Sequence, residues 1–274
     1  RSQALRRPRS NPITNVRFPG IESRTISKDD YRRIRKQALQ SGLMPNDWCL
    51  SQFFLTLKEW NQQTTTDTSD LPFSVLVPMS LRETNQPLLS SCNVVTYSVI
   101  TREISQIEHD KKFSDSLQQE LSSLKATRHC SSLISTLFGK AIDPEMFQNS
   151  LDPSRGNVTG VFANIGDPTK LFYTRFPNQG GKIRCGNLTL ESCLGVPPVR
   201  EGTRVSVCLY NYRRELTICM RCEPNYFSAE DTNLLLDLFV AKIRSDIDDK
   251  SASGSPQSEP LFANASPASQ SRCS

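Results

Sequence analysis

The 274-residue chain is 36% hydrophobic, and its mean hydropathy of −0.44 is typical of a globular protein that buries a sizeable core. No apolar run approaches the roughly 20 residues that cross a bilayer, so no membrane span is expected. The net charge of +5 comes from residues 1–36, which carry eleven Lys or Arg against three acidic residues.

Residues 1–23 are rich in basic and polar residues and contain three prolines, a composition that predicts a basic extended connector. No aromatic residue is interleaved before Phe18, which favours a solvated or partner-covering arm over a segment that binds nucleic acid. The chain starts with Arg1 and shows no signal-peptide pattern, which we interpret as an excerpt, a processed end or an internal boundary.

Two helices are predicted next. Ser27 is a plausible N-cap with acidic residues in the turn that follows, and Gly42 is the expected stop of this first helix. A second helix opens at Asn46 or Asp47, and its apolar residues occur on most sides. We therefore expect the second helix to be largely buried.

The middle of the chain predicts two strands, of which the second alternates apolar and polar residues and is expected to be a long internal strand. Helical segments follow it. The predicted strands are Phe73–Pro78 and Asn93–Thr101, and the predicted helical segments are Lys112–Lys125, His129–Lys140 and Pro144–Asn149.

The C-terminal part of the chain combines short strands with a closing helix. Ser228 is expected to cap an amphipathic helix that ends at Ile243, and residues 246–274 have the composition of a disordered tail. The predicted strands are Asn157–Ile165 and Lys182–Leu190, followed by a hairpin of Arg204–Tyr210 with Leu216–Cys222.

The order of these elements predicts an α/β fold for residues 24–245, with one mixed sheet covered by helices on one side. The other face or an edge of that sheet is then left for something else to cover. Nine scattered cysteines indicate reduced thiols in a cytoplasmic protein. Cys219 and Cys222 have metal-ligand spacing but point to opposite faces of a predicted strand, so no metal site is expected.

Polar residues mark the junction between the two middle strands. The segment Val77-Pro78-Met79-Ser80-Leu81-Arg82 closes the first strand, and Asn93 opens the second. A guanidinium buried at such a junction needs a carboxylate or several carbonyl partners. Simpler interpretations remain open: an exposed Arg82 paired with Glu83, a structural Ser80, and asparagines that only cap strand ends.

The residues at these corners, taken in order, resemble the C-terminal half of the acyltransferase fold. That fold is shared by chloramphenicol acetyltransferase, the condensation domains of nonribosomal peptide synthetases and alcohol acyltransferases. The resemblance covers about residues 24–245. It is carried by residues 42–47, residues 77–82, Asn93, residues 162–166 and residues 226–228.

This resemblance implies transfer of an acyl group from a thioester of coenzyme A or of a phosphopantetheine carrier to a hydroxyl or amine, with no bound cofactor. Ser80, Asn93 and Asn164 are implied to line the substrate channel. The family's His-His-x-x-x-Asp-Gly motif, in the N-terminal half, supplies the general base and an Asp that pairs with the arginine matching Arg82.

The present chain departs from the family at the catalytic position, because it contains no His-His pair. Its two histidines, His109 and His129, lie in other contexts and are not expected to substitute. Two hypotheses follow. The chain is a C-terminal lobe that needs an N-terminal lobe from a longer polypeptide or a second chain, or it is a non-catalytic binding module that kept the lobe and lost the base.

Overall fold

The computed structural model describes residue 5 and residues 20–64, 71–80, 95–126, 158–169, 176–199 and 203–252. The helices in these ranges are α1 (Lys28–Gln40), α2 (Pro45–Thr64), α3 (Lys111–Ala126) and α4 (Ala229–Ala252), with a short 3-10 helix at Ile104–Gln106. The strands are β1 (Glu22–Ile26), β2 (Phe73–Ser80), β3 (Val95–Arg102), β4 (Gly160–Gly166), β5 (Asn178–Gln179), β6 (Lys182–Cys185), β7 (Leu188–Thr189), β8 (Val205–Tyr212) and β9 (Glu215–Cys222).

The first helix begins and ends where its sequence predicts. The Ser27 hydroxyl accepts a hydrogen bond from the Asp30 amide at 3.2 Å, which satisfies one of the free N–H groups of the first turn. After the last turn, Gly42 adopts a φ of +76°, and the Leu43 amide donates to the Ala38 carbonyl at 2.8 Å. This closing turn leads directly into α2.

The second helix is buried on most sides, as predicted, because it packs against the sheet, α3 and α4. Helices that are covered all round carry apolar residues on every face, since little of their surface reaches water. The buried apolar residues of α2 are Trp48, Cys49, Leu50, Phe53, Phe54, Leu57 and Trp60.

Six strands form one mixed sheet in the order β1-β9-β8-β4-β2-β3. Strand β4 is parallel to both β2 and β8, and the other neighbours are antiparallel. Within the described ranges β3 is therefore an edge strand, and its prediction as an internal strand is wrong. Its alternation reflects one buried and one exposed face instead, since Thr96 and Ile100 are buried while Tyr97 and Val99 are exposed.

The helices cover one face of this sheet. The Phe53 ring of α2 lies 5.7 Å from the ring of Phe162 on β4 and 5.5 Å from the ring of Phe239 on α4, measured between centroids. Gly160 is needed for the close pairing of β4 with β8, because a Cβ there would lie 2.9 Å from a Val205 methyl group. The predicted α/β class, a mixed sheet covered by helices, is confirmed.

Strand β1 was missed by the sequence analysis and crosses the predicted end of the connector at residue 23. It pairs antiparallel with β9, from Glu22 opposite Met220 to Ile26 opposite Leu216. The polar residues of β1 do not form a strand pattern in the sequence. One of them, Arg24, makes a bidentate ion pair with Asp237 of α4 at 2.8 and 3.1 Å.

Two further predictions in the C-terminal part are corrected. The segment Lys182–Leu190 is not one strand, since β6 and β7 pair with each other across a turn in which Gly186 has a φ of +61°. Helix α4 continues to Ala252, beyond its expected end at Ile243 and into the range predicted as a tail.

Some predictions fall outside the described residues. These are the helical segments His129–Lys140 and Pro144–Asn149, and the tail beyond residue 252. Among the helices that the structure does describe, none is both long and apolar enough to cross a bilayer.

We expect Phe53→Ala to lower the free energy of unfolding by about 3–5 kcal/mol, because it removes a fully buried ring between the sheet and α4. Urea unfolding followed by circular dichroism measures this loss. Leu234→Ala, at an exposed position on α4, is the control and should change stability by less than about 0.5 kcal/mol. Similar losses for the two variants would contradict this description of the core.

Candidate functional site

The parallel strands bring several polar residues to one end of the sheet. Strands β2, β4 and β8 run in the same direction, so their C-terminal ends lie at the same end of the sheet. Strand β3 runs the other way, and its first residue, Val95, pairs with Ser80 at the end of β2. We call this the C-terminal end of the sheet. In open α/β sheets such ends form the crevice where ligands bind.

The structure places Ser80 and Asn164 at this C-terminal end. Ser80 is the exposed last residue of β2. Asn164 lies next to an irregularity in the pairing of β4 with β8, and its side-chain oxygen accepts the Gly166 amide at 2.8 Å. That hydrogen bond shapes the turn after β4, in which Gly166 has a φ of +67°. Arg82 and Asn93 lie outside the described residues, and the channel-lining roles remain predictions.

The histidine of the described chain is not brought to this end. His109 follows β3, whose last residue, Arg102, pairs with Phe73 at the start of β2. The chain therefore leaves the sheet at the end opposite Ser80 before it reaches His109, which is exposed in the loop before α3. His129 lies outside the described residues.

The sheet face that points away from the helices, here called the outer face, is partly covered by residues 190–199, the covering segment. The Ser206 hydroxyl donates to the Pro197 carbonyl at 2.8 Å, and Gly195 lies against the Tyr210 hydroxyl. The Tyr212 hydroxyl donates to the Leu190 carbonyl at 2.7 Å and accepts from the Ile183 amide at 3.2 Å. These contacts fix the covering segment over β8.

Sequence reasoning did not single out Tyr210 or Tyr212. The available signal was alternation: the predicted hairpin strand ended at Tyr210, whereas β8 continues to Tyr212, and both tyrosine side chains lie on the face opposite the core residues Val207 and Leu209. Alternation alone could not assign the partners of the two tyrosines, because the segment that covers this face is distant in the sequence.

The outer face is apolar and exposed where β3 and the end of β4 contribute to it. Tyr97 and Val99 of β3 are 43% and 49% exposed, and Ile165 at the end of β4 is 54% exposed. Leu188 and Leu194, beside and within the covering segment, are exposed as well. Apolar side chains that are exposed together on one face of a sheet are typical of a site that another structure covers.

Three titratable groups in and under the covering segment have raised pKa values. Burial raises the pKa of the Cys208 thiol to about 11. Burial and the hydrogen bond with Cys208 raise the pKa of the Tyr210 hydroxyl. Burial, followed by the nearby Asp167 carboxylate, raises the pKa of the Cys193 thiol. All three groups are protonated at neutral pH, so none of them supplies a general base there.

Comparison with known proteins gives matches at the level of structure alone. No protein-family model matches the sequence. The curated proteins likewise contain no match.

Three solved structures illustrate the structural likeness. The epimerization domain from the third module of tyrocidine synthetase B has a TM-score of 0.59 at 12% identity, over 93% of this chain and 54% of that one. The first condensation domain of the CDA synthetase has a TM-score of 0.54 at 13% identity, over 84% and 46%. The trichothecene 15-O-acetyltransferase from Fusarium sporotrichioides has a TM-score of 0.54 at 14% identity, over 86% and 49%.

Identities this low establish the fold and nothing finer. They confirm the expected resemblance to the condensation-domain and acyltransferase fold, the chloramphenicol-acetyltransferase-like fold of the sequence analysis. The present chain spans about half the length of these three structures.

The packing of the covering segment can be tested with a double-mutant cycle. In Gly195→Ala the new Cβ lies 2.8 Å from the Tyr210 hydroxyl oxygen, so we expect the free energy of unfolding to fall by about 1–3 kcal/mol. Adding Tyr210→Phe removes that oxygen, and the double variant should be at least about 1 kcal/mol more stable than additive losses predict.

Urea unfolding of the wild type, the two single variants and the double variant measures this coupling. Tyr212→Phe is the matched control, because its hydroxyl binds Leu190 and Ile183 instead and should not relieve the Gly195→Ala loss. Additive losses with Tyr210→Phe would show that the covering segment does not pack on Tyr210.

Proposed function

We propose that the chain is the C-terminal lobe of a two-lobe condensation- or acyltransferase-type enzyme. In this proposal the enzyme transfers an acyl group from a thioester to a hydroxyl or amine. The observation that carries the proposal is that this fold matches about half the length of such structures while part of its outer face stays exposed.

The N-terminal lobe, from a longer polypeptide or a second chain, has two tasks in this proposal. It supplies the general base, whose contribution to such a transfer is typically about 10²–10⁴-fold in rate. It also covers the exposed part of the outer face around Tyr97, Val99 and Ile165, because burial of apolar side chains stabilises such contacts.

The proposed roles of this chain's own residues are binding and positioning. Ser80, Asn93 and Asn164 line the channel wall at the C-terminal end of the sheet, and Arg82 pairs with the Asp of the other lobe's motif. The acyl donor, a thioester of coenzyme A or of a phosphopantetheine carrier, enters as a substrate. The described thiols and tyrosine near this wall are neutral, which supports placing the proton acceptor in the other lobe.

The second candidate function is a non-catalytic binding module. It is favoured by one specific observation, the absence of a His-His pair from all 274 residues. The two candidates differ in what the native gene product contains and does. A catalytic lobe belongs to a larger assembly that consumes an acyl thioester, whereas a binding module has no such turnover.

The native gene product should be isolated together with everything that is covalently or stably attached to this chain. We expect it to release the thiol of coenzyme A when it is given an acyl-coenzyme A as donor and a suitable alcohol or amine as acceptor. A panel of donors and acceptors with a colorimetric thiol assay measures the rate. The 274-residue chain alone should be at least about 100-fold slower, because it lacks the general base.

Two matched variants of the gene product test the outer face. Val99→Glu should lower the rate at least tenfold, because it buries an unpaired carboxylate at the lobe contact. Leu234→Glu, at an exposed position on α4 and 61% exposed, should leave the rate unchanged. Full activity of the isolated chain, or equal rates for the two variants, would contradict the lobe proposal. A gene product without turnover for any pair would favour the binding module.

A further inference from the structure

A cavity of about 730 Å³ opens on the helical side of the molecule, away from the outer face. It is lined by residues from the end of α1 and the turn after it, from the first half of α2, and from the start of α3 with its preceding loop. Its volume lies within the range of about 300–1,000 Å³ that is usual for ligand sites. Neither the sheet nor the proposed acyl channel contributes to it.

The walls of this cavity combine apolar and carboxamide groups. Leu43 and the indole of Trp48 are buried apolar residues of the wall. The carboxamide side chains of Gln37 and Gln52 also line the cavity and are themselves buried. The wall behind the cavity is therefore made of packed apolar and carboxamide side chains.

The cavity is acidic although the whole chain is basic. The three carboxylates of Glu108, Asp110 and Asp115 outnumber the one ammonium of the lining, that of Lys111. The Asp110 carboxylate accepts the Phe113 amide at 2.7 Å and so caps α3. The carboxylates of Glu108 and Asp115 form no ion pair or hydrogen bond within the described ranges. The C-terminus of α1 adds the negative end of its helix dipole.

Exposed apolar residues flank the cavity at the turn between α1 and α2. Leu39 is 59% exposed and Met44 is 56% exposed, and each is a sequence neighbour of a residue that lines the cavity. Large exposed side chains beside an acidic cavity suit a partner that presents a cation next to an apolar residue.

We propose that this cavity binds an arginine side chain from a basic segment of a partner protein. The planar guanidinium offers five N–H donors to the carboxylates of Glu108 and Asp115. An apolar residue beside that arginine packs on Leu39 and Met44. Anionic ligands are repelled by the same two carboxylates.

The test uses the full chain and a fluorescein-labelled peptide, Gly-Ser-Leu-Arg-Leu-Ser-Gly, whose binding is followed by fluorescence anisotropy. The matched probe carries citrulline in place of arginine, which keeps the shape and most donors but removes the charge. We expect saturable binding of the arginine peptide and an affinity at least tenfold lower for the citrulline peptide.

Protein variants locate the site. The double variant E108Q/D115N should lose at least tenfold in affinity for the arginine peptide, because it removes both carboxylates that lack a described partner. Asp29→Asn is the control, since it neutralises an exposed carboxylate at the start of α1, outside the cavity, and should bind as the wild type does. Circular dichroism verifies that all variants are folded.

Three results would overturn the inference. They are equal binding of the citrulline and arginine peptides, wild-type affinity of the double variant, and no anisotropy change with the wild type. Failure of this test leaves the acyltransfer proposal unaffected, because the cavity and the C-terminal end of the sheet share no residue.

Discussion

The parallel pairing of β4 with both β2 and β8 is the constraint on which the candidate site depends. Because these three strands run in the same direction, their C-terminal ends lie at the same end of the sheet. Gly160 lets β4 lie close to β8, since a Cβ there would be 2.9 Å from a Val205 methyl group. On the helical face, the Phe53 ring of α2 packs against Phe162 of β4 and Phe239 of α4. The candidate site at the C-terminal end of the sheet is thus a consequence of strand pairing.

The two faces of the sheet differ in how much of each is covered by other elements. The helices bury the side chains that point toward them, whereas residues 190–199 cover the outer face over β8. The exposed apolar side chains of β3 and of the end of β4 have no such cover within the described ranges. The proposal that the chain is one lobe of a two-lobe enzyme accounts for both this asymmetry and the absence of a His-His pair.

Local features of this fold were predictable from sequence, and non-local ones were not. The Ser27 cap, the Gly42 stop and the buried α2 depend on residues within a few positions of each other, and all were predicted. The edge position of β3 depends on the order of strands far apart in the chain. Strand β1 was not predicted, because the partners of its polar residues lie far away in the sequence, as Asp237 of α4 does from Arg24.

The candidate site follows the same rule. Ser80 and Asn164 were selected through the resemblance to the acyltransferase fold, but their placement at one end of the sheet required the parallel pairing of β2 with β4. The acidic cavity was not predictable, since it exists only where α1, α2 and the loop before α3 pack together. Tyr212 was missed because its partners, Ile183 of β6 and Leu190 of the covering segment, lie more than twenty residues away in the sequence.

Hydroxyl-radical footprinting of the native gene product and of the 274-residue chain tests the central claim most directly, because it reports the solvent exposure of individual side chains. The account predicts that Tyr97, Val99 and Ile165 are oxidised readily in the isolated chain and protected in the gene product, while Leu234 is oxidised equally in both. Equal oxidation of the outer-face residues in the two samples, or a gene product no larger than this chain and without a partner, would contradict it.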